Sequence, residues 1–114
     1  IFKGNSSAIT ALVIGKKDEL ISGCSDGLIN IWNIANGQQI NQLEDLETSI
    51  SSLAIRKNGI LISGNCNGII KLWDIYTDKC LKFLKGHSDS VNSLVVSKND
   101  ELISGSWDKT IRIW

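Results

Sequence analysis

Glu101-Leu102-Ile103-Ser104-Gly105-Ser106-Trp107-Asp108-Lys109-Thr110-Ile111-Arg112-Ile113-Trp114 is the stretch that decides the fold, because its outline occurs twice earlier. Glu19-Leu20-Ile21-Ser22-Gly23 runs on to Trp32, and Ile60-Leu61-Ile62-Ser63-Gly64 runs on to Trp73. Each copy follows the last by 41 residues, and a fixed period of this kind takes precedence over any local reading. Aligned without gaps, residues 1–32, 42–73 and 83–114 share eight of 32 columns in all three copies. Besides the Leu-Ile-Ser-Gly run and the Trp, these are Leu12/Leu53/Leu94, Lys16/Lys57/Lys98 and Ile29/Ile70/Ile111. Within a period the pattern is β. Short β-branched runs bounded by polar turns predict strands near 9–14, 20–24, 28–33 and 38–43, then 50–55, 61–65, 69–74 and 79–84, then 91–96, 102–106 and 110–114. Four strands per period, joined by turns of a few residues, make a four-stranded antiparallel meander.

A period of 41 residues is in the range of a propeller blade and exceeds that of leucine-rich, ankyrin and tetratricopeptide repeats. Gly86-His87 stands 27 residues before Trp114, with Ser104 and Asp108 between. Trp73-Asp74 is a Trp-Asp dipeptide and Trp32-Asn33 a near match. In these motifs the chain resembles the WD-repeat (WD40-type) β-propeller family over its whole length, as about 2.8 repeats with bounds near 1–41, 42–82 and 83–114. The resemblance implies an all-β fold of propeller blades, in a family where seven blades are common. The copies depart from the pattern at the Gly-His position, which reads Gly4-Asn5 in the first and Asp45-Leu46 in the second. Asn67 also replaces the turn Asp found as Asp26 and Asp108.

A Ser, a His and an Asp in one repeat invite a hydrolase reading, with Ser104 as nucleophile, His87 as base and Asp108 as orienter. The resemblance implies instead a structural tetrad of His87, Ser104, Asp108 and Trp114. Partial versions are Ser22, Asp26 and Trp32 in the first copy, and Ser63, Asn67 and Trp73 in the second. Incomplete copies suit a redundant staple better than a repeated active site, and no G-x-S-x-G elbow surrounds Ser104. No catalytic residue is therefore expected, and the second copy's staple is expected to be weaker by about 1 kcal/mol per missing hydrogen bond.

In a propeller blade the connections alternate between two ends. The residue before the turn Asp (Ser25, Cys66, Trp107) and the position after the first strand residue (Thr10, Ser51, Asn92) are expected to share one end, as partner-binding candidates. Trp107 stands where the sister copies have small residues, so it is either a partner anchor or a ring lying flat on its own blade. At the other end Lys16-Lys17-Asp18-Glu19, Arg56-Lys57-Asn58-Gly59 and Lys98-Asn99-Asp100-Glu101 read as solvated polar turns.

Twelve basic residues balance twelve acidic ones, which argues against a specific nucleic-acid binder working through bulk charge. The apolar runs are too short for membrane insertion by a helix. Cys24, Cys66 and Cys80 form no C-x-x-C pair, and a single His completes no zinc site, so no metal or cofactor is expected. Unpaired thiols point to an intracellular compartment, cytoplasmic or nuclear. Asn5-Ser6-Ser7 fits a glycosylation acceptor but reads more simply as a turn. No Met, no Pro and a start at Ile1 suggest a stretch of a longer chain, with Ile1-Phe2-Lys3 ending a preceding strand. Two sheet faces would then await further blades or further copies. The functional expectation is a non-catalytic protein–protein interaction scaffold for protein or peptide partners. The alternative is a substrate-recognition or regulatory module of a larger enzyme complex, such as a ubiquitin ligase.

Overall fold

The computed structural model describes residues 1–3, 6–45 and 48–114, so Asn5 of the glycosylation motif and Leu46 of the Gly-His position lie outside the described residues. Eleven strands run in chain order among the described residues: β1 (Ile9–Ile14), β2 (Glu19–Cys24), β3 (Leu28–Asn33), β4 (Gln39–Glu44), β5 (Ile50–Ile55), β6 (Leu61–Asn65), β7 (Ile70–Asp74), β8 (Lys79–Leu84), β9 (Val91–Val96), β10 (Leu102–Ser106) and β11 (Ile111–Ile113). They form three antiparallel meanders, β1 to β4, β5 to β8 and β9 to β11. No helix occurs among the described residues, and none is long and apolar enough to cross a membrane. Ile1–Lys3 carry no strand, against expectation, although the Phe2 ring packs on Trp32 with centroids 5.7 Å apart. A strand exists only through a ladder partner, and among the described residues these three have none.

Each first strand carries a bulge. Ile9 pairs with Cys24 and Ala11 with Gly23, which leaves Thr10 as the extra residue. Ser51 and Asn92 are the extra residues of β5 and β9 in the same way. A bulge unpairs one residue and re-aims its side chain, so three chemically different residues are presented alike.

The core lies between the sheets. Ile21, Ile29, Ile31, Leu43, Ile50, Leu53, Leu61, Trp73 and Ile75 fill the junction of the first and second sheets. Ala54, Ile62, Ile70, Leu72, Val91, Leu94 and Leu102 fill the junction of the second and third. The repeated Ser-Gly dipeptide has its reason here. A Cβ at Gly23 would lie 2.5 Å from Ile50 Cγ2, and one at Gly64 would lie 2.9 Å from Val91 Cγ1. Only glycine lets the first strand of the following sheet approach this closely.

Candidate functional site

Antiparallel meanders put the β2–β3, β6–β7 and β10–β11 turns at one end of the molecule. Each of these turns is tied by its backbone to the segment leading into its own sheet. Ser25 N donates to Ala8 O at 3.0 Å, Cys66 N to Ser49 O at 3.1 Å, and Trp107 N to Ser90 O at 3.0 Å. The side chains of Ser25, Cys66 and Trp107 are thereby left exposed on one end. The bulge residues sit beside them but differ in use. Thr10 Oγ1 donates to Gly23 O at 3.0 Å and also reaches Ile50 O of the next sheet. Ser51 Oγ donates to Gly64 O at 3.0 Å and reaches Val91 O. Both hydroxyls therefore join neighbouring sheets. Asn92 repeats the first contact and replaces the second. With its amide oriented to satisfy both neighbours, Nδ2 donates to Gly105 O at 2.9 Å and Oδ1 accepts from Trp107 Nε1 at 3.1 Å. Trp107 is 67% exposed, so the ring stands out from its blade with its one donor anchored.

Beneath this end lies the tetrad. Asp108 Oδ2 is 2.8 Å from His87 Nδ1, and His87 Nε2 is 2.7 Å from Ser104 Oγ. Trp114 Nε1 donates to Ser104 Oγ at 2.8 Å. This chain of partners fits a neutral imidazole donating from Nδ1 and accepting the serine hydroxyl at Nε2. Thr110, which the sequence reading passed over, donates to Asp108 Oδ1 at 2.6 Å and lies 3.2 Å from His87 Nδ1. The Asp-x-Thr spacing was its only signal, and Leu28 and Ile69 stand at that position in the sister copies. The Thr110 hydroxyl first, with the His87 ring and two backbone N–H groups, holds the Asp108 carboxyl far below the usual carboxylate range.

The first two copies keep only the inner link, from Trp32 Nε1 to Ser22 Oγ at 3.0 Å and from Trp73 Nε1 to Ser63 Oγ at 2.9 Å. Asp26 and Asn67 each cap their own turn, accepting from Leu28 N and Ile69 N. Asp26 also accepts from the Ser6 hydroxyl, the main reason its carboxyl is held below the ordinary range. The second copy carries a buried polar group of its own. Asp45 is buried, with Oδ1 2.7 Å from Lys71 Nζ and Oδ2 accepting from Asn65 Nδ2 at 2.6 Å. Asp45 departs from the Gly-His pattern, and no local signal pairs it with Lys71, which lies 26 residues on.

Cys24, Cys66 and Cys80 form no disulfide with one another. Burial, reinforced by Asp26, pushes the Cys24 thiol up, away from nucleophilic use. At the opposite end the turns are less solvated than expected. Arg56 spans to the third sheet, donating to Asp100 O at 2.9 Å with its Nε 3.6 Å from Asp100 Oδ2. Glu19 is buried outright, and its Oε1 accepts from the Tyr76 hydroxyl of the second sheet's turn at 3.3 Å.

The family described as WD domain, G-beta repeat, matches residues 1–33, 37–74 and 78–114. No curated protein matches the chain. Among solved structures, the crystal structure of the RRP9 WD40 repeats superposes with a TM-score of 0.91 at 25% identity, covering 99% of this chain and 37% of that one. A structure of U3-55K gives the same TM-score, 0.91, at 24% identity and the same coverage, which supports the fold alone. This chain thus spans a little over a third of the structures it resembles. Three family matches in register with three antiparallel sheets, each holding a Ser–Trp hydrogen bond, place the chain in the WD40 repeat family.

Proposed function

We propose that this stretch is a non-catalytic scaffold for protein partners, and that it binds through the end bearing Trp107. WD40 repeats generally mediate protein–protein interaction, which supports the class of function. The observation that carries the finer reading is the pose of Trp107. Its ring is exposed while its indole N–H is already satisfied by Asn92, so the apolar face is offered without an unmet polar group. Such a fixed aromatic ring loses little conformational entropy on docking. Ser25 and Cys66 extend the surface with small groups.

The His87–Ser104–Asp108 chain does not support a hydrolase. Ser104 is wholly buried, and its oxygen already meets both His87 and Trp114. A nucleophile must come within about 3 Å of a reacting atom, and nothing can enter there without breaking the blade.

Trp107→Ala is expected to weaken partner binding by about 2 kcal/mol or more while moving the melting temperature by only a few degrees. Partners captured on the wild-type full-length protein and titrated against the variant provide the measurement. A large drop in melting temperature with unchanged affinity would make Trp107 a packing residue.

A further inference from the structure

The outer strand of the second sheet, β8, reads Lys79-Cys80-Leu81-Lys82-Phe83-Leu84 and is followed by Lys85. It bonds to β7 on one side and to no described strand on the other. Such an edge turns the N–H and C=O of every second residue outward, unpaired. Three lysines and no acid stand in residues 79–85, with Leu81 and Phe83 exposed among them. No described carboxylate forms an ion pair with Lys82 or Lys85. Lys79 differs, since Asp74 stands opposite it in the register.

The fold does not demand this composition. β4 is the outer strand of the first sheet and has the same bulge and register. It carries Asn41, Gln42 and Glu44 where β8 and the residue after it carry Lys82, Phe83 and Lys85. Beyond the bulge at Leu81 the pairing of β8 is regular, Lys82 with Leu72, Phe83 with Lys71 and Leu84 with Ile70. Leu84 packs into the junction with the third sheet, so strand alternation puts Lys82 on that face as well. Phe83 and Lys85 lie on the other face, where they line one small cleft with Lys71.

We propose that β8 accepts an added strand from a partner polypeptide, an extended acidic segment whose backbone continues the ladder along residues 82–85. Pairing across the new ladder dictates its side chains. Carboxylates stand opposite Lys82 and Lys85, and an apolar side chain lies opposite Phe83. Charge complementarity selects this occupant. A second copy of the chain, pairing through its own β8, would set lysine against lysine. A nucleic-acid strand would answer the lysines but leave the row of backbone groups unpaired. The edge shares no residue with the Trp107 surface, so its failure leaves that reading untouched.

Amide NMR of the full-length protein tests the proposal, with the peptide acetyl-Thr-Glu-Val-Val-Glu-Thr-amide as the probe. The expected result is a saturable shift of the Lys82 to Lys85 amides, with slowed hydrogen exchange among them. The amide of Gln42, at the equivalent site of β4, should not move. The same peptide N-methylated at both valines keeps its charge but loses ladder donors, and should bind about tenfold more weakly. So should the unmodified peptide to the double variant Lys82→Glu with Lys85→Glu, both exposed positions outside the core. That variant should prefer the counterpart with lysine in place of both glutamates. Equal binding of the N-methylated peptide would reduce the contact to charge attraction and overturn the added strand. Undiminished binding to the double variant, tighter binding of an oligouridylate at these amides, or no saturable shift would each overturn it as well.

Discussion

Asp108 shows how much one turn residue can organise. It accepts from Thr110, faces His87, and receives the backbone N–H groups of Ser88 and Thr110. These contacts favour the ionised carboxylate, so its folded value lies below that of the unfolded chain. The stability it contributes is therefore complete above the ordinary Asp value near 4 and is lost as pH falls below it. Asp108→Asn is expected to flatten the acid limb of a urea-midpoint profile taken between about pH 6 and pH 3. It should not abolish that limb, since Asp26 and Asp74 are held low by contacts of their own. An unchanged profile would mean that the Asp108 contacts do not persist in solution. At this scale the sequence was informative about His87, Ser104, Asp108 and Trp114, whose spacing carries the family pattern. It was silent about Thr110 and Glu19, since nothing in a short run of residues tells which polar side chain another sheet will cover.

Among the elements, β7 is the one whose polar content needs explaining. Lys71 lies in the middle of a buried strand, with its ammonium on Asp45 and over the Phe83 ring at 5.3 Å. The same register position holds the buried Asn30 in β3 and Arg112 in β11. Strand alternation puts this residue on the corresponding face of every sheet, where Asn30 and Lys71 are buried and Arg112 is exposed, and each copy fills the position with different chemistry. The second copy's staple lacks the His and Asp, and the same sheet carries a buried ion pair. Removing one member leaves the other charged and unpaired. Asp45→Ala is thus expected to destabilise the fold by about 3–5 kcal/mol. The double replacement Asp45→Ala with Lys71→Met should recover most of that loss, because a buried pair is often exchangeable for apolar packing. Denaturant titration of the wild type, both single variants and the double variant measures the coupling. Additive losses would contradict the pairing.

Across the whole molecule, identical residues in identical registers meet different fates. Leu53 and Leu94 are each 8% exposed, whereas Leu12 is 61% exposed. Ile29 and Ile70 are fully buried, whereas Ile111 is 77% exposed. The leucine faces the preceding sheet and the isoleucine the following one, so a blade is apolar on both faces and needs a neighbour on each. We propose that the first sheet's Leu12 face and the third sheet's Ile111 face receive further blades or further copies. In the full-length protein, Leu12→Ala is expected to cost about 2–5 kcal/mol, as Leu53→Ala does, by the ordinary penalty for a core cavity. A loss under about 0.5 kcal/mol, measured by denaturant midpoint, would mean that this face stays in water.

The strands, their order and the blade as a unit were determined by the sequence alone. Hydrophobic alternation and turn chemistry are local, and a gapless 41-residue period repeats them three times. The tertiary structure decided what depends on contact between sheets. It tied the Thr10 and Ser51 hydroxyls to the next sheet while leaving Asn92 to hold Trp107. It also paired Asp45 with Lys71, and it buried Glu19. Burial and pairing are set by atoms far away in the chain, and a repeat that fixes the strands leaves those partners open.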